Sequence, residues 1–186
     1  KWCIATNRCI DAKKARWQSY KTFYDYFQEA AQLYLLNKNN LKTHCTYLFV
    51  LCHPENRIVV PHEHIELYHV GTIDNQTFEE IEHDIGIKTP VVVDMPLETV
   101  SNPIHLEQLD WKHPGYVVVW NSSNSSKKRY KIRNPKFEYV NQLRGNSLNM
   151  TEHYLTLRAE QPQRFIEFCK YFPEYSTCLL YTSDAA

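Results

Sequence analysis

The sequence has 186 residues, enough for one ordinary domain with a sizeable core. Its 43% hydrophobic and 13% aromatic content excludes a disordered chain. Lys plus Arg number 21, as do Asp plus Glu, so the formal net charge is zero and any nucleic-acid contact must come from a local patch.

No apolar run approaches the roughly 20 residues a membrane helix needs, so no membrane partner is expected. The opening Lys1-Trp2-Cys3-Ile4-Ala5-Thr6 has no initiator Met and no signal-peptide pattern. Residues 2–6 read as a strand, and the chain is expected to begin inside a larger protein. The six cysteines, Cys3, Cys9, Cys45, Cys52, Cys169 and Cys178, show no Cys-x-x-Cys pairing. They read as reduced thiols of an intracellular, cytoplasmic protein. On that reading the Asn-x-Ser/Thr sequons at Asn75, Asn121, Asn124 and Asn149 are chance.

Residues 13–36 read as one long helix. Phe23, Tyr26, Phe27, Ala30, Leu33 and Tyr34 fall at helical spacing and form an apolar stripe for the core. The polar run 37–40 ends it. Two apolar runs follow, at 45–52 and 57–60, around His53-Pro54-Glu55-Asn56; the pattern predicts an antiparallel hairpin. Residues 65–71 read as a further strand ended by Gly71. Thr77 is placed to cap a short helix, with Glu79 and Glu80 in its first turn. Residues 90–93 read as a short strand and 103–110 as a helix entered through Pro103.

A hairpin is predicted at 115–121 and 128–133, with a polar turn between. Helices are expected at 135–145 and at about 160–171, the latter stopped by Pro173. Hairpins interrupted by helices, without βαβ alternation, argue for an α+β fold with mainly antiparallel sheets. The expected organisation is a first domain over 1–147 and the start of a C-terminal helical segment over 148–177. The tail at 178–186 resembles the translation of a sequencing adapter.

Several familiar sites are absent: a Gly-rich phosphate loop, Gly-x-Ser-x-Gly, His-Glu-x-x-His and a dinucleotide fingerprint. His62 and His64 would share a face in a strand, with His53 nearby, but no third ligand stands at a diagnostic spacing. Solvated or core histidines are the competing reading, and no metal ligand is assigned. Lys127, Lys128, Arg129, Lys131, Arg133 and Lys136 place six cations in ten residues. The first three read as a solvated hairpin tip. Lys131 and Arg133 alternate on one face of a strand and are expected to lie opposite a buried Val117-Val118-Val119 partner, where phosphate would suit them.

Three segments resemble the nucleotidyltransferase (ATP-grasp-like) domain of ATP-dependent RNA ligases of the bacteriophage type. The run from Thr46 through Pro54-Glu55-Asn56-Arg57-Ile58-Val59-Val60 is similar to that family's strand, Pro-x-Asn-Arg-Ile-Val turn and strand. Gly115-Tyr116-Val117-Val118 is similar to its Glu-Gly-Tyr-Val motif. Lys131-Ile132-Arg133-Asn134-Pro135-Lys136-Phe137 is similar to its final Lys-x-Lys-Ser-Pro-x-Tyr motif. Trp2–Thr6 looks like the strand after the nucleophile motif, and residues 164–174 like the segment after the catalytic domain.

The resemblance implies ATP and Mg²⁺ as cofactors, RNA ends as substrate, and a lysyl-AMP intermediate. It implies that Lys131 and Arg133 grip the α-phosphate as catalytic residues. It also implies that Phe49, Gly115 and Tyr116 bind or support the nucleotide. The family's Lys-x-Asp-Gly nucleophile motif is missing, and by resemblance it would lie upstream of Trp2. Val50 and Pro114 stand at two of its glutamate positions, and Arg133 replaces its second lysine. A ligase-like protein that binds nucleotide or RNA without catalysis is therefore an alternative. A capping enzyme or DNA ligase is a third reading, which the Pro-Glu-Asn-Arg turn fits less well.

Overall fold

The computed structural model describes residues 2–17, 19–121 and 127–175. Residues 122–126 of the polar turn expected from Asn121 to Ser126, Cys178 and the 178–186 tail lie outside them. The fold is α+β, with small antiparallel sheets and helices. The described residues fall into two compact units, one within 1–96 and 117–131, the other within 97–116 and 132–186.

In the first unit, residues 2–6 are not a strand; only an isolated bridge joins Thr6 to Cys9. The predicted helix over 13–36 is shorter, α1 at Phe23–Leu33. The physical reason is a cap. Thr22 accepts from the Asp25 amide, and Asp25 accepts from the Thr22 amide at 2.7 Å. Such a reciprocal box fixes a helix start more strongly than the apolar stripe alone. Leu35, at φ 51, leaves the helical region and ends it. The stripe buries Tyr26 and Ala30 fully but leaves Leu33 60% exposed.

Strand β1, Cys45–Cys52, pairs antiparallel with β2, Glu66–Asp74, rather than with residues 57–60. That second run fails as a strand because its polar groups are used locally: Arg57 Nε donates to the Val59 carbonyl at 3.1 Å. Along β1 the inward residues are Cys45, Tyr47, Phe49 and Leu51, at the strand period of two. Their partners are Asp74, Thr72, His69 and Leu67. Leu48 faces Gly71 while Phe49 faces His69, so Val70 is the extra residue of a bulge. The bulge changes the phase of β2, which is why Leu67, His69 and then Thr72 are its buried positions.

Thr77 does not cap a helix. Asp74 Oδ1 accepts from the Gln76 and Thr77 amides, and the turn so formed leads into strand β3, Glu80–Ile81. The core of this unit is Ala30, Leu67, Ile85 and Ile87, with Phe27, Phe49 and Leu51 packed against it. Residues 90–93 are not a strand. Val91 and Val92 are 87% and 92% exposed, and an apolar run without a ladder partner has nowhere to place its backbone hydrogen bonds.

The second unit begins with α2, Leu97–Val100, and α3, Pro103–Gln108, capped by Asn102. A two-stranded sheet follows: β4, Gly115–Asn121, against β5, Lys127–Arg133. The outer part of this hairpin belongs to the first unit. Helix α4, Pro135–Arg144, matches its predicted span within a residue. The helix expected at about 160–171 is α6, Pro162–Tyr171, and before it stands an unpredicted helix, α5, Met150–Glu160, which Pro162 separates from it. Val140, Leu143, Tyr154, Leu157, Phe168 and Phe172 form the helical core, with Phe168 and Phe172 stacked at 5.0 Å. Among the described residues, no helix is long and apolar enough to cross a membrane.

Candidate functional site

The root of the β4–β5 hairpin is built by two residues of opposite character. Gly115 has φ +116, and a Cβ there would stand 2.1 Å from the Ile132 carbonyl oxygen and 2.9 Å from Arg133 Cα. Only glycine permits so close a backbone approach. Asn134 is fully buried. Its Nδ2 donates to the carbonyls of Asp110 and His113, both at 2.8 Å, and its Oδ1 accepts from the Lys136 amide at 2.9 Å. One side chain thus ties the loop before β4 to the first turn of α4. The Asn134 amide also donates to the Pro114 carbonyl at 3.2 Å.

Tyr116 is half-buried, with its hydroxyl 3.0 Å from His105 Nε2 and its ring 5.1 Å from that of His113. Lys131 and Arg133 are both exposed on β5. Lys131 has no ionic partner among the described residues, whereas Arg133 donates to Glu138 at 2.8 Å. The partner strand differs from expectation: Val117 and Val119 are 55% and 49% exposed, so the hairpin is not backed by a buried valine run.

Of the three cations expected as a solvated tip, Lys128 is exposed, while Lys127 and Arg129 are ion-paired. Arg129 donates to Glu80 at 2.6 Å, and Lys127 lies 3.8 Å from the same carboxylate. The hydrogen bond from Arg129 holds the Glu80 carboxyl below the usual carboxylate range.

Phe49 is half-buried in the first unit, its ring 5.4 Å from Phe27 and 5.7 Å from His69. Gly115, Tyr116 and Arg133 thus fall in the second unit and Lys131 in the first, all on β4 and β5, while Phe49 packs against the core of the first unit. Val50 points outward, 49% exposed, and Pro114 is exposed. Neither side chain carries an oxygen, so these two positions do not fit Mg²⁺. The carboxylates near them in sequence are engaged. Glu55 accepts from Lys21 at 2.9 Å, and Asp110 Oδ1 accepts from the Lys112 amide at 2.8 Å.

His53 is a core residue. It is buried, packs 4.4 Å from Tyr26, and places Nε2 3.0 Å from Glu29. Its Nδ1 accepts from the Glu55 amide, so Nε2 carries the proton and donates to Glu29. His62 and His64 do not lie in a strand and do not share a strand face. The described cysteines are free thiols, of which Cys3 is exposed, Cys45 buried and the others half-buried. Sequence reasoning missed the hub role of Asn134; the Asn-Pro pair, which also starts α3 at Asn102-Pro103, is the signal that marks both caps.

No protein-family profile matches the chain. No solved structure matches it. The chain is 26% identical over 187 aligned positions to the immediate-early protein ICP-46 homolog of Invertebrate iridescent virus 3, an alignment covering 95% of this chain. It spans 40% of that relative's length.

Proposed function

We propose that the chain is a fragment of the nucleotidyltransferase domain of an ATP-dependent RNA ligase of the bacteriophage type, the whole protein acting on RNA ends in the cytoplasm. The observation that carries the reading is Lys131. It is exposed, without an ionic partner among the described residues, and on the same strand face as Arg133. A cation held in this way on a hairpin closed at Gly115 is suited to phosphate.

The resemblance implies a nucleophilic lysine in a Lys-x-Asp-Gly motif that this sequence does not contain; its nitrogen attacks the α-phosphorus of ATP and pyrophosphate leaves. The AMP passes to an RNA 5′-phosphate, and a 3′-hydroxyl then displaces AMP as the phosphodiester forms. Lys131 and Arg133 hold the phosphate oxygens as negative charge develops there. Arg133 must share its guanidinium with Glu138, which leaves Lys131 as the principal contact. The name of the viral relative specifies no reaction, so the proposal rests on the hairpin and on the motif-like segments.

Val50 and Pro114 favour a second reading, a ligase-like protein that binds nucleotide or RNA without joining strands. Incubating the whole protein with α-labelled ATP and Mg²⁺ separates the two. A covalent AMP adduct supports the ligase. ATP binding without an adduct supports the binding protein. Absence of both overturns the nucleotide site.

A further inference from the structure

The register of β1 on β2 brings a side chain of β2 beside two neighbouring ones at the start of β1. His44, Cys45 and Asp74 each offer a ligand atom, and those atoms all lie within 4.8 Å of one another. Cys45 and Asp74 face each other across the ladder. Their amides point elsewhere, Cys45 to the Lys42 carbonyl and Asp74 to the Glu79 carbonyl. They are therefore a non-hydrogen-bonded pair, the kind in which opposite side chains stand closest. His44 precedes β1, and its carbonyl accepts from the Asn75 amide at 2.9 Å, which fixes its backbone beside Asp74.

The carboxylate is already oriented. Asp74 Oδ1 is held by the Gln76 and Thr77 amides, while Oδ2 lies 3.7 Å from His44 Nε2. That separation is too long for a hydrogen bond. It is close to the ligand–ligand distance of a tetrahedral site whose bonds are about 2.0–2.2 Å. The Cys45 sulfur sits at the buried side and the His44 ring at the exposed side, so the trio has a protected floor and an open mouth.

We propose that His44, Cys45 and Asp74 form a zinc site with a fourth position open to water. Thiolate, imidazole and carboxylate together suit a borderline-soft ion of tetrahedral habit, and a thiolate excludes Mg²⁺ as the natural occupant. The site is independent of the hairpin and of any ligase activity. Bound zinc would fasten the start of β1 to the end of β2, and its binding would release the thiol proton.

The test uses the chain freed of metal and titrated with Zn²⁺, then with Co²⁺ as a spectroscopic substitute. One tightly held ion per chain is expected, with a thiolate-to-cobalt charge-transfer band. Cys45→Ser should abolish that band, while Cys3→Ser, at an exposed thiol, should keep it. His44→Ala removes an exposed side chain and should leave the fold intact by circular dichroism. It should nevertheless weaken Zn²⁺ binding by about tenfold or more. No retained ion would overturn the site. So would a folded His44→Ala variant with unchanged affinity, or a charge-transfer band that survives Cys45→Ser.

Discussion

Gly115 and Ile132 meet backbone to backbone: a methyl group at position 115 would stand 2.1 Å from the Ile132 carbonyl oxygen. The obstacle is main chain, so no rotamer change relieves it. The left-handed φ of +116 adds strain for any L side chain. Gly115→Ala is expected to cost about 2–4 kcal/mol in urea unfolding, by forcing the two strands apart or bending the root. A loss under about 1 kcal/mol would show that the root yields easily and is not a rigid closure.

Asn134 works beside it as a hub. Asn134→Ala would strip the Asp110 and His113 carbonyls of their donor and the Lys136 amide of its cap. Losing three hydrogen bonds around a buried side chain costs about 2–3 kcal/mol. Asn134→Asp is the informative companion. Aspartate keeps the cap oxygen but presents an acceptor to two carbonyls. It should therefore recover only the cap's share of about 1 kcal/mol. Equal denaturant midpoints for the Asn134→Asp variant and the parent protein would show that the carbonyl ties contribute nothing.

The same residues show what is legible in the sequence. Helices α3 and α4 and the β4–β5 hairpin can be read because their signals are local: Asn-Pro starts and an apolar run before a turn. Helix α1 reads too long because residues 13–22 carry no Gly or Pro to break a helix, whereas the Thr22–Asp25 box sets the start at Phe23, where the apolar stripe also begins. The α5 helix escapes the reading, although Met150, Tyr154 and Leu157 recur at i, i+4 and i+7. The pairing of β1 with β2 is not readable, since both candidate partners are apolar and the choice depends on hydrogen bonds made by Arg57 and Asp74. The His44–Cys45–Asp74 trio depends wholly on that register, so it leaves no spacing signature.

His69 should make stability depend on pH. It is buried between Tyr47 and Phe49, and its Nε2 lies 3.0 Å from the Gly71 carbonyl, an acceptor only, so that nitrogen carries the proton. Burial pushes its pKa below the ordinary value. The Gly71 carbonyl opposes that shift, and His83 adds to it. The folded state therefore resists a second proton that the unfolded chain accepts at about pH 6.5. Stability is full above that value and falls as pH drops through it, by at most about 1.4 kcal/mol per pH unit for one group. Urea midpoints across this range should slope less steeply in His69→Gln than in the parent chain. Parallel slopes would assign the titration elsewhere, with the half-buried His62, whose pKa burial also lowers, as the next candidate.

Lys131 and Lys127 differ in what already holds them, and ATP binding should report the difference. The ammonium of Lys127 lies 3.8 Å from Glu80, a carboxylate that Arg129 grips at 2.6 Å. Lys131 has no such competitor among the described residues. Removing a charge-assisted contact costs about 1.5–3 kcal/mol, so Lys131→Ala should weaken ATP binding by about tenfold or more. Its thermal stability should stay unchanged, because the side chain makes no ion pair in the fold. Lys127→Ala should bind ATP within about twofold of the parent, since surface ion pairs contribute little. Arg133→Lys should fall between them, keeping the charge but losing the planar fork shared with Glu138. Equal losses at 127 and 131, both vanishing with added salt, would mean that phosphate responds to charge density along the hairpin rather than to the strand face bearing Lys131.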